Sequence, residues 1–252
     1  MNLKIFVFQH MPCQLPDCFS DRSIYEPIQC GRAVHEKILG TIGDDTGSNI
    51  SSLNHAFNEM TAIYWIARHY EEVGNPEYIG FDHYRRYLNW NEGMLSPRNV
   101  VARRWFSWRT LRGQYACCHN ANDLDVFSKR FKEVFADGEY GDYDAYWRTH
   151  FFYICNIFIM HRDNFMRYAE FILKCIDILR SVNVGESTNP RVRREPGYIM
   201  ETMTSYWIWH ERRRKAIDVV PSTITHFNID NAFNSGGCIN KRAFLWFLRQ
   251  AY

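Results

Sequence analysis

At 252 residues with a formal net charge of +2, the chain has the length for one large domain and lacks the strongly basic balance of a nucleic-acid-binding protein. Its longest near-apolar run, 151–160, falls far short of the roughly 20 residues of a membrane-spanning helix, and the apolar stretch at 3–8 is too short for a secretory signal. Eight cysteines, at 13, 18, 30, 117, 118, 155, 175 and 238, include no Cys-x-x-Cys pair, which points to reduced thiols in a cytoplasmic protein rather than a disulfide framework or structural zinc.

Residues 4–9 carry Ile5, Phe6, Val7 and Phe8 with no helical period and read as a buried strand. Pro12 and Pro16 open a loop. Pro27 suits the first turn of a helix over 28–39, with Gly40 as its stop. An acidic, glycine-bearing loop follows at 41–51. Asn54 is placed to cap a helix whose apolar stripe is Phe57, Met60, Ile63, Tyr64 and Ala67. Gly74, Asn75 and Pro76 end it, and a strand begins at Tyr78. From 93 to 115 no period survives: Arg98, Arg103, Arg104, Arg109 and Arg112 interleave with Trp105, Phe106, Trp108 and Leu111. Leu124, Phe127, Phe131, Val134 and Phe135 restore helical spacing. Residues 154–160 read as a second buried strand with Asn156 as its polar member. Asp163 is placed to cap a long helix carrying Phe165, Tyr168, Ile172, Ile176 and Leu179. A polar loop at 185–196, a helix over 198–213, a short strand at 219–220 and a polar turn at 225–228 complete the chain. Strand, helix, helix, strand is the order of an α/β domain with parallel pairing, and no repeat or linker divides 1–252.

The stretch Tyr78-Ile79-Gly80-Phe81-Asp82-His83-Tyr84-Arg85-Arg86-Tyr87 concentrates its chemistry at a strand's carboxyl end, where open α/β sheets bind ligands. Paired arginines suit a diphosphate, because guanidinium forks match phosphate oxygens. Asp82 and His83 are candidates to hold a divalent cation or to move a proton; charges merely facing water would give the same pattern. Asp44 and Asp45, between Gly43 and Gly47, suit ribose hydroxyls or a metal, or simply a solvated turn. Asp123 and Asp125 form a bare Asp-x-Asp, but they start an amphipathic helix after Asn120 and Asn122, and capping explains them. Asn156 needs hydrogen-bond partners, which a ligand hydroxyl or neighbouring backbone supplies. Glu201 opens a helix as a sugar-binding group, a base, or a favourable N-terminal charge. The arginine-aromatic segment around Arg103, Arg104, Trp105, Phe106, Trp108 and Arg109 suits a membrane surface or a core cover better than nucleic acid.

Several of these segments together resemble one bacterial family, carried as a domain of unknown function in capsular polysaccharide and O-antigen gene clusters and regarded as glycosyltransferase-like. The resemblance rests on Tyr25-x-Pro27-Ile28-Gln29-x-Gly31, on Ile42-Gly43-Asp44-Asp45-Thr46-Gly47-x-Asn49-Ile50-Ser51, on Asn58-Glu59-x-Thr61-Ala62-x-Tyr64-Trp65-Ile66 and on the Tyr78 stretch. Asn156-x-Phe158-Ile159-Met160 and Gly197-Tyr198-x-x-Glu201 extend it to about Trp209. Cys is the family's usual residue where Asp82 stands, and Arg usually follows Glu201 where this chain has Thr202.

The resemblance implies a GT-A-like α/β fold: a Rossmann-type nucleotide-binding sheet, about 1–90, with an appended acceptor-binding helical part, about 91–252. It implies transfer of a sugar from a nucleotide-sugar, a UDP-sugar foremost, to a growing, lipid-linked surface polysaccharide at the inner face of the cytoplasmic membrane. By that analogy Asp44, Asp45, His83, Arg85, Arg86 and Asn156 bind the donor, and Glu201 and Asp82 are candidate bases. Asp82, His83 and His226 are candidate ligands for Mn²⁺ or Mg²⁺. A carbohydrate-binding or assembly protein that keeps the fold without the chemistry is the alternative.

Overall fold

The computed structural model describes residues 1–227, and Asn228 of the expected terminal turn lies outside them. In chain order the elements are β1 (Leu3–Gln9), β2 (Tyr25–Gln29), β3 (Ile42–Gly43), α1 (Asn54–Phe57), α2 (Met60–Arg68), β4 (Tyr78–His83), β5 (Arg86–Leu88), β6 (Asn99–Phe106), α3 (Leu111–Cys118), α4 (Ala121–Val134), α5 (Tyr143–Trp147), β7 (Phe151–His161), α6 (Arg162–Arg180), α7 (Pro190–Arg193), α8 (Glu195–Arg213), β8 (Asp218–Pro221) and β9 (Ile224–His226). The strands form one sheet in the order β3-β2-β1-β4-β7-β6-β8, with β5 joining β4 to β9.

Strands β1 to β4 are mutually parallel, whereas β7 runs antiparallel to both β4 and β6. Residues 5–8 of β1 are buried on both faces, which is why that run has no alternation. Phe6 and Phe8 enter the larger core beneath α2, α4, α6 and α8, while Ile5 and Val7 enter a smaller core on the other face with Tyr25, Tyr78, Tyr87 and Leu88.

Several expected elements are redrawn. Pro27 lies in β2 opposite Val7, not in a helix. The N–H of Cys30 donates to Gln9 of β1, so by alternation the missing N–H of Pro27 falls on the side away from β1, and β3 reaches only Ile28 and Gln29 there. Asn54 does not cap its helix but starts it. Its amide donates to the Asn58 carbonyl and Thr61 Oγ1, and the single expected helix breaks at Asn58 (φ 51°) into α1 and α2. The segment read as patternless contains β6, because Val100, Val101 and Ala102 are buried and the arginines begin only where the strand leaves the core. His161, not Asp163, caps α6 by accepting from the N–H of Asp163. The expected turn at 225–228 begins as strand β9, paired with β5.

Candidate functional site

Parallel pairing brings the carboxyl ends of β1, β2, β3 and β4 to one edge of the sheet. Beyond β2 the chain turns at Gly31 (φ 69°), where an added Cβ would stand 2.4 Å from the side chain of Asn54. The turn is held by Asp44: its carboxylate accepts from the N–H of Gly31 (2.8 Å), the N–H of Arg32 (3.0 Å) and the hydroxyl of Ser51 (2.5 Å). Asp44 is fully buried, so its carboxylate holds a loop rather than presenting itself to a donor, contrary to the direct contact expected of it. Asp45 stays partly accessible beside Arg32 and Lys37.

Arginines and histidines gather over this edge. His10, just past β1, lies edge-on to Tyr84 and 6.4 Å from the ring of His35. Burial, and then the charges of His35, Arg85 and Arg194, hold His10 below the usual histidine range. Arg85 spreads its guanidinium 4.9 Å above Tyr84, with its Nε buried and unpartnered. Arg194 donates to Asn58 Oδ1 at 3.0 Å. Among the described residues no carboxylate pairs with Arg85 or Arg194, so the field of this rim favours an anion.

Next to the rim, β7 is interrupted. Its pairing with β6 shifts register between Ala102 and Arg104, and Cys155 (φ 70°) and Asn156 (φ 51°) take left-handed backbone conformations. Such interruptions free ladder groups and re-aim side chains, and they cluster at functional sites. Here the freed N–H of Cys155 donates to Glu201 Oε1 at 2.6 Å, and Asn156 Nδ2 donates to Glu59 Oε1 at 2.8 Å. Asn156 is buried with its Oδ1 unpartnered. Arg86 reaches the same place and donates to Cys155 Sγ at 3.4 Å.

Glu201 stands in the interior of α8, two turns past its start, so the N-terminal charge explanation passes to Glu195. Burial first and the negative charge of Glu59 second push the Glu201 carboxyl up to about 7, against the pull of the Cys155 N–H and of Arg86. A carboxylate that titrates near neutrality is suited to taking a proton from a hydroxyl.

The structure does not bring Asp82 to Glu201. Asp82 points into the smaller core, accepts from the N–H of Leu88 at 2.9 Å, and leaves Oδ2 buried without a partner. Burial pushes it up to about 8. His83 packs against Tyr84, and burial followed by the charges of Arg86 and Arg85 holds it well below the usual histidine range. His226 lies on β9 opposite Arg86. Among the described residues no three His, Cys, Asp or Glu side chains are grouped to hold a metal. Asp82, with one oxygen committed to backbone and both sunk in the core, does not fit as a ligand beside His83 and His226. The second acidic pattern is likewise committed to the fold: Asp123 accepts from the N–H of Gly185, and Asp125 pairs with Arg112.

Sequence reasoning missed Glu59, His10, His35 and Arg194. Glu59 lies in the Asn58-Glu59-x-Thr61 segment, where the apolar stripe from Phe57 to Ala67 points to a continuous helix. Asn58 is a weak mark of a helix break, because Asn tolerates positive φ better than other non-glycine residues but is also common inside regular segments.

A parallel sheet half ending in a cationic rim, joined to an antiparallel half whose interrupted strand holds one carboxylate from each half, is a GT-A-like α/β fold. The chain belongs to the family described as Domain of unknown function (DUF4422), whose profile matches residues 4–213. It is similar to the solved apo structure of the WbbM bifunctional glycosyltransferase, with a TM-score of 0.75 and 23% identity over 90% of this chain and 46% of that one. The chain thus spans less than half the length of that protein. No curated protein matches it.

Proposed function

We propose that the protein is a glycosyltransferase that moves a sugar from a nucleoside-diphosphate donor, a UDP-sugar foremost, to a growing bacterial surface polysaccharide of the capsular or O-antigen kind, carried on lipid at the inner face of the cytoplasmic membrane. The observation that carries this reading is Glu201, poised near neutrality beside Glu59 and next to a cationic rim at the sheet's carboxyl edge. Glu201 takes the proton of an acceptor hydroxyl as that oxygen bonds to the anomeric carbon. The bond from the anomeric carbon to the diphosphate oxygen breaks, and the electron pair leaves with the nucleoside diphosphate. Arg85 and Arg86, with Arg194 nearby, stabilise the charge that develops there, and His10 lies beside them as a neutral ring. The family resemblance and the likeness to a glycosyltransferase fold support the same reading, and the nature of the acceptor comes from the resemblance.

The test is a thermal-shift panel of UDP-, GDP- and CMP-sugars with and without Mn²⁺ or Mg²⁺, followed by measurement of nucleotide release. A ligand that binds the folded state raises its apparent stability by mass action. Binding with turnover supports the proposal. Glycan binding with no response to any nucleotide-sugar would instead favour a carbohydrate-binding protein of the same fold.

A further inference from the structure

Strands β4 and β6 run in the same direction, because each is antiparallel to β7. The carboxyl end of β6 therefore lies on the sheet edge that carries the candidate site. There the chain leaves the core through residues 104–109, beside the start of β7. Trp108 is 91% exposed, Phe106 45% and Phe151 41%. These rings form one cluster: Phe106 meets Trp108 and Phe151 at 5.4 Å each, and His150 stacks on Phe106. The Arg104 guanidinium lies 4.6 Å over Phe151. Exposed Arg104 and Arg109 have no carboxylate in ion-pair reach among the described residues. Trp105 is half-buried and Ser107 buried, so the outward surface is narrower than the full arginine-aromatic segment.

A soluble surface rarely gathers three large exposed rings, and here they sit among unneutralised cations. Aromatic rings settle at the boundary between lipid headgroups and acyl chains, and arginines there meet anionic headgroups. We propose that this cluster of Arg104, Phe106, Trp108, Arg109 and Phe151 docks the protein on an anionic lipid surface. Phe151 stands five positions before Asn156 on β7, a separation of about 16 Å at most along the strand. Docking would therefore hold the carboxylates close to the headgroup layer, where a lipid-carried acceptor is presented. The significance for the acceptor rests on the glycosyl-transfer reading, but lipid binding is measured without turnover, so the two fail separately.

Co-sedimentation with vesicles of phosphatidylcholine, with and without phosphatidylglycerol, tests the proposal. Binding is expected only with the anionic lipid and should weaken as salt rises. Each basic residue at such a surface contributes about fivefold in partitioning. The Arg104→Glu/Arg109→Glu and Phe106→Ser/Trp108→Ser variants should each lose at least that much. Their side chains are exposed, and an unchanged melting temperature checks the fold. Native protein that stays in the supernatant, or partitions equally with its variants, overturns the proposal. So does a cluster whose fluorescence responds to soluble oligosaccharide while vesicles leave the protein unbound.

Discussion

The side-chain amide of Asn156 donates to the carboxylate of Glu59 at 2.8 Å, joining residues 97 positions apart. One comes from the interrupted strand β7 and the other from the break between α1 and α2, so two irregularities of the backbone are fastened to each other. The same strand irregularity fixes Glu201 through the N–H of Cys155. Two carboxylates are thereby held against one short piece of chain, and the charge of one raises the proton affinity of the other.

Glu201→Gln should abolish sugar transfer while leaving the fold intact, because the amide oxygen can still accept from Cys155. General-base catalysis contributes about a hundredfold to ten-thousandfold, so a loss of that order in kcat is expected. On the proposed mechanism, Glu201 of the native protein acts as a base only when ionised. The rate should climb tenfold per pH unit below about pH 7 and level off above it. Native-like turnover by the folded variant would remove Glu201 from the mechanism.

Glu59→Gln should shift that acidic limb toward lower pH, since Glu59 is the second cause of the raised Glu201 carboxyl. A purely structural role for Glu59 would lower the rate without moving the profile. The pH dependence of kcat/KM separates the two.

Arg85→Ala should weaken nucleoside-diphosphate binding. A hydrogen bond to a charged group is worth roughly 1.5–3 kcal/mol, about ten- to a hundredfold in affinity. Calorimetric titration with UDP measures it, and unchanged affinity in a folded variant would place the diphosphate elsewhere.

Asp44→Ala and Asp45→Ala should part company. Removing Asp44 strands the N–H groups of Gly31 and Arg32 and the Ser51 hydroxyl, a cost of about 3 kcal/mol and some 6–12 °C in melting temperature. Asp45→Ala should melt within about 2 °C of the native protein, because its ion pairs are long and partly solvated. Equal melting of the two variants would show that Asp44 does not hold the loop.

Asp82→Asn should remove a pH dependence of stability. The folded carboxyl titrates near 8 and the unfolded one near 3.8, so between those values the folded state binds the extra proton. The Asp82 contribution is thus fully present below about pH 4 and is lost as pH rises through 8. The melting temperature of the variant relative to the native protein should rise by about 5 °C or more from pH 5 to pH 8. A constant difference would mean that Asp82 ionises freely.

The first strand, the Tyr78 strand and the long helices were legible because buried runs and helical stripes follow from burial alone. Strand β6 was hidden because only Val100, Val101 and Ala102 carry its pattern before the arginines turn outward. Pro27 pointed to a helix because its tolerance in β2 depends on how far β3 extends, a tertiary fact. Arg85, Arg86, Asn156 and Glu201 were singled out from residue type and position, and the structure gathers Arg86, Asn156 and Glu201 about one strand interruption. Glu59 and Arg194 escaped because their placement depends on the positive φ of Asn58, which Asn tolerates more readily than other side chains but adopts only where tertiary contacts require it.

The family profile ends at residue 213, yet the sheet does not. Strand β9 pairs His226 with Arg86, Thr225 with Tyr87 and Leu88 with Ile224, and so covers the outer edge of the hairpin that carries Arg86. A protein cut back to the profile's limit would present that hairpin as an open edge, prone to stick to another chain. It would also leave Arg86 on a two-sided ribbon with one side missing. For this chain the smallest complete sheet therefore runs beyond its smallest recognisable unit, and misbehaviour of a fragment ending at 213 would be a statement about edges rather than about the candidate site.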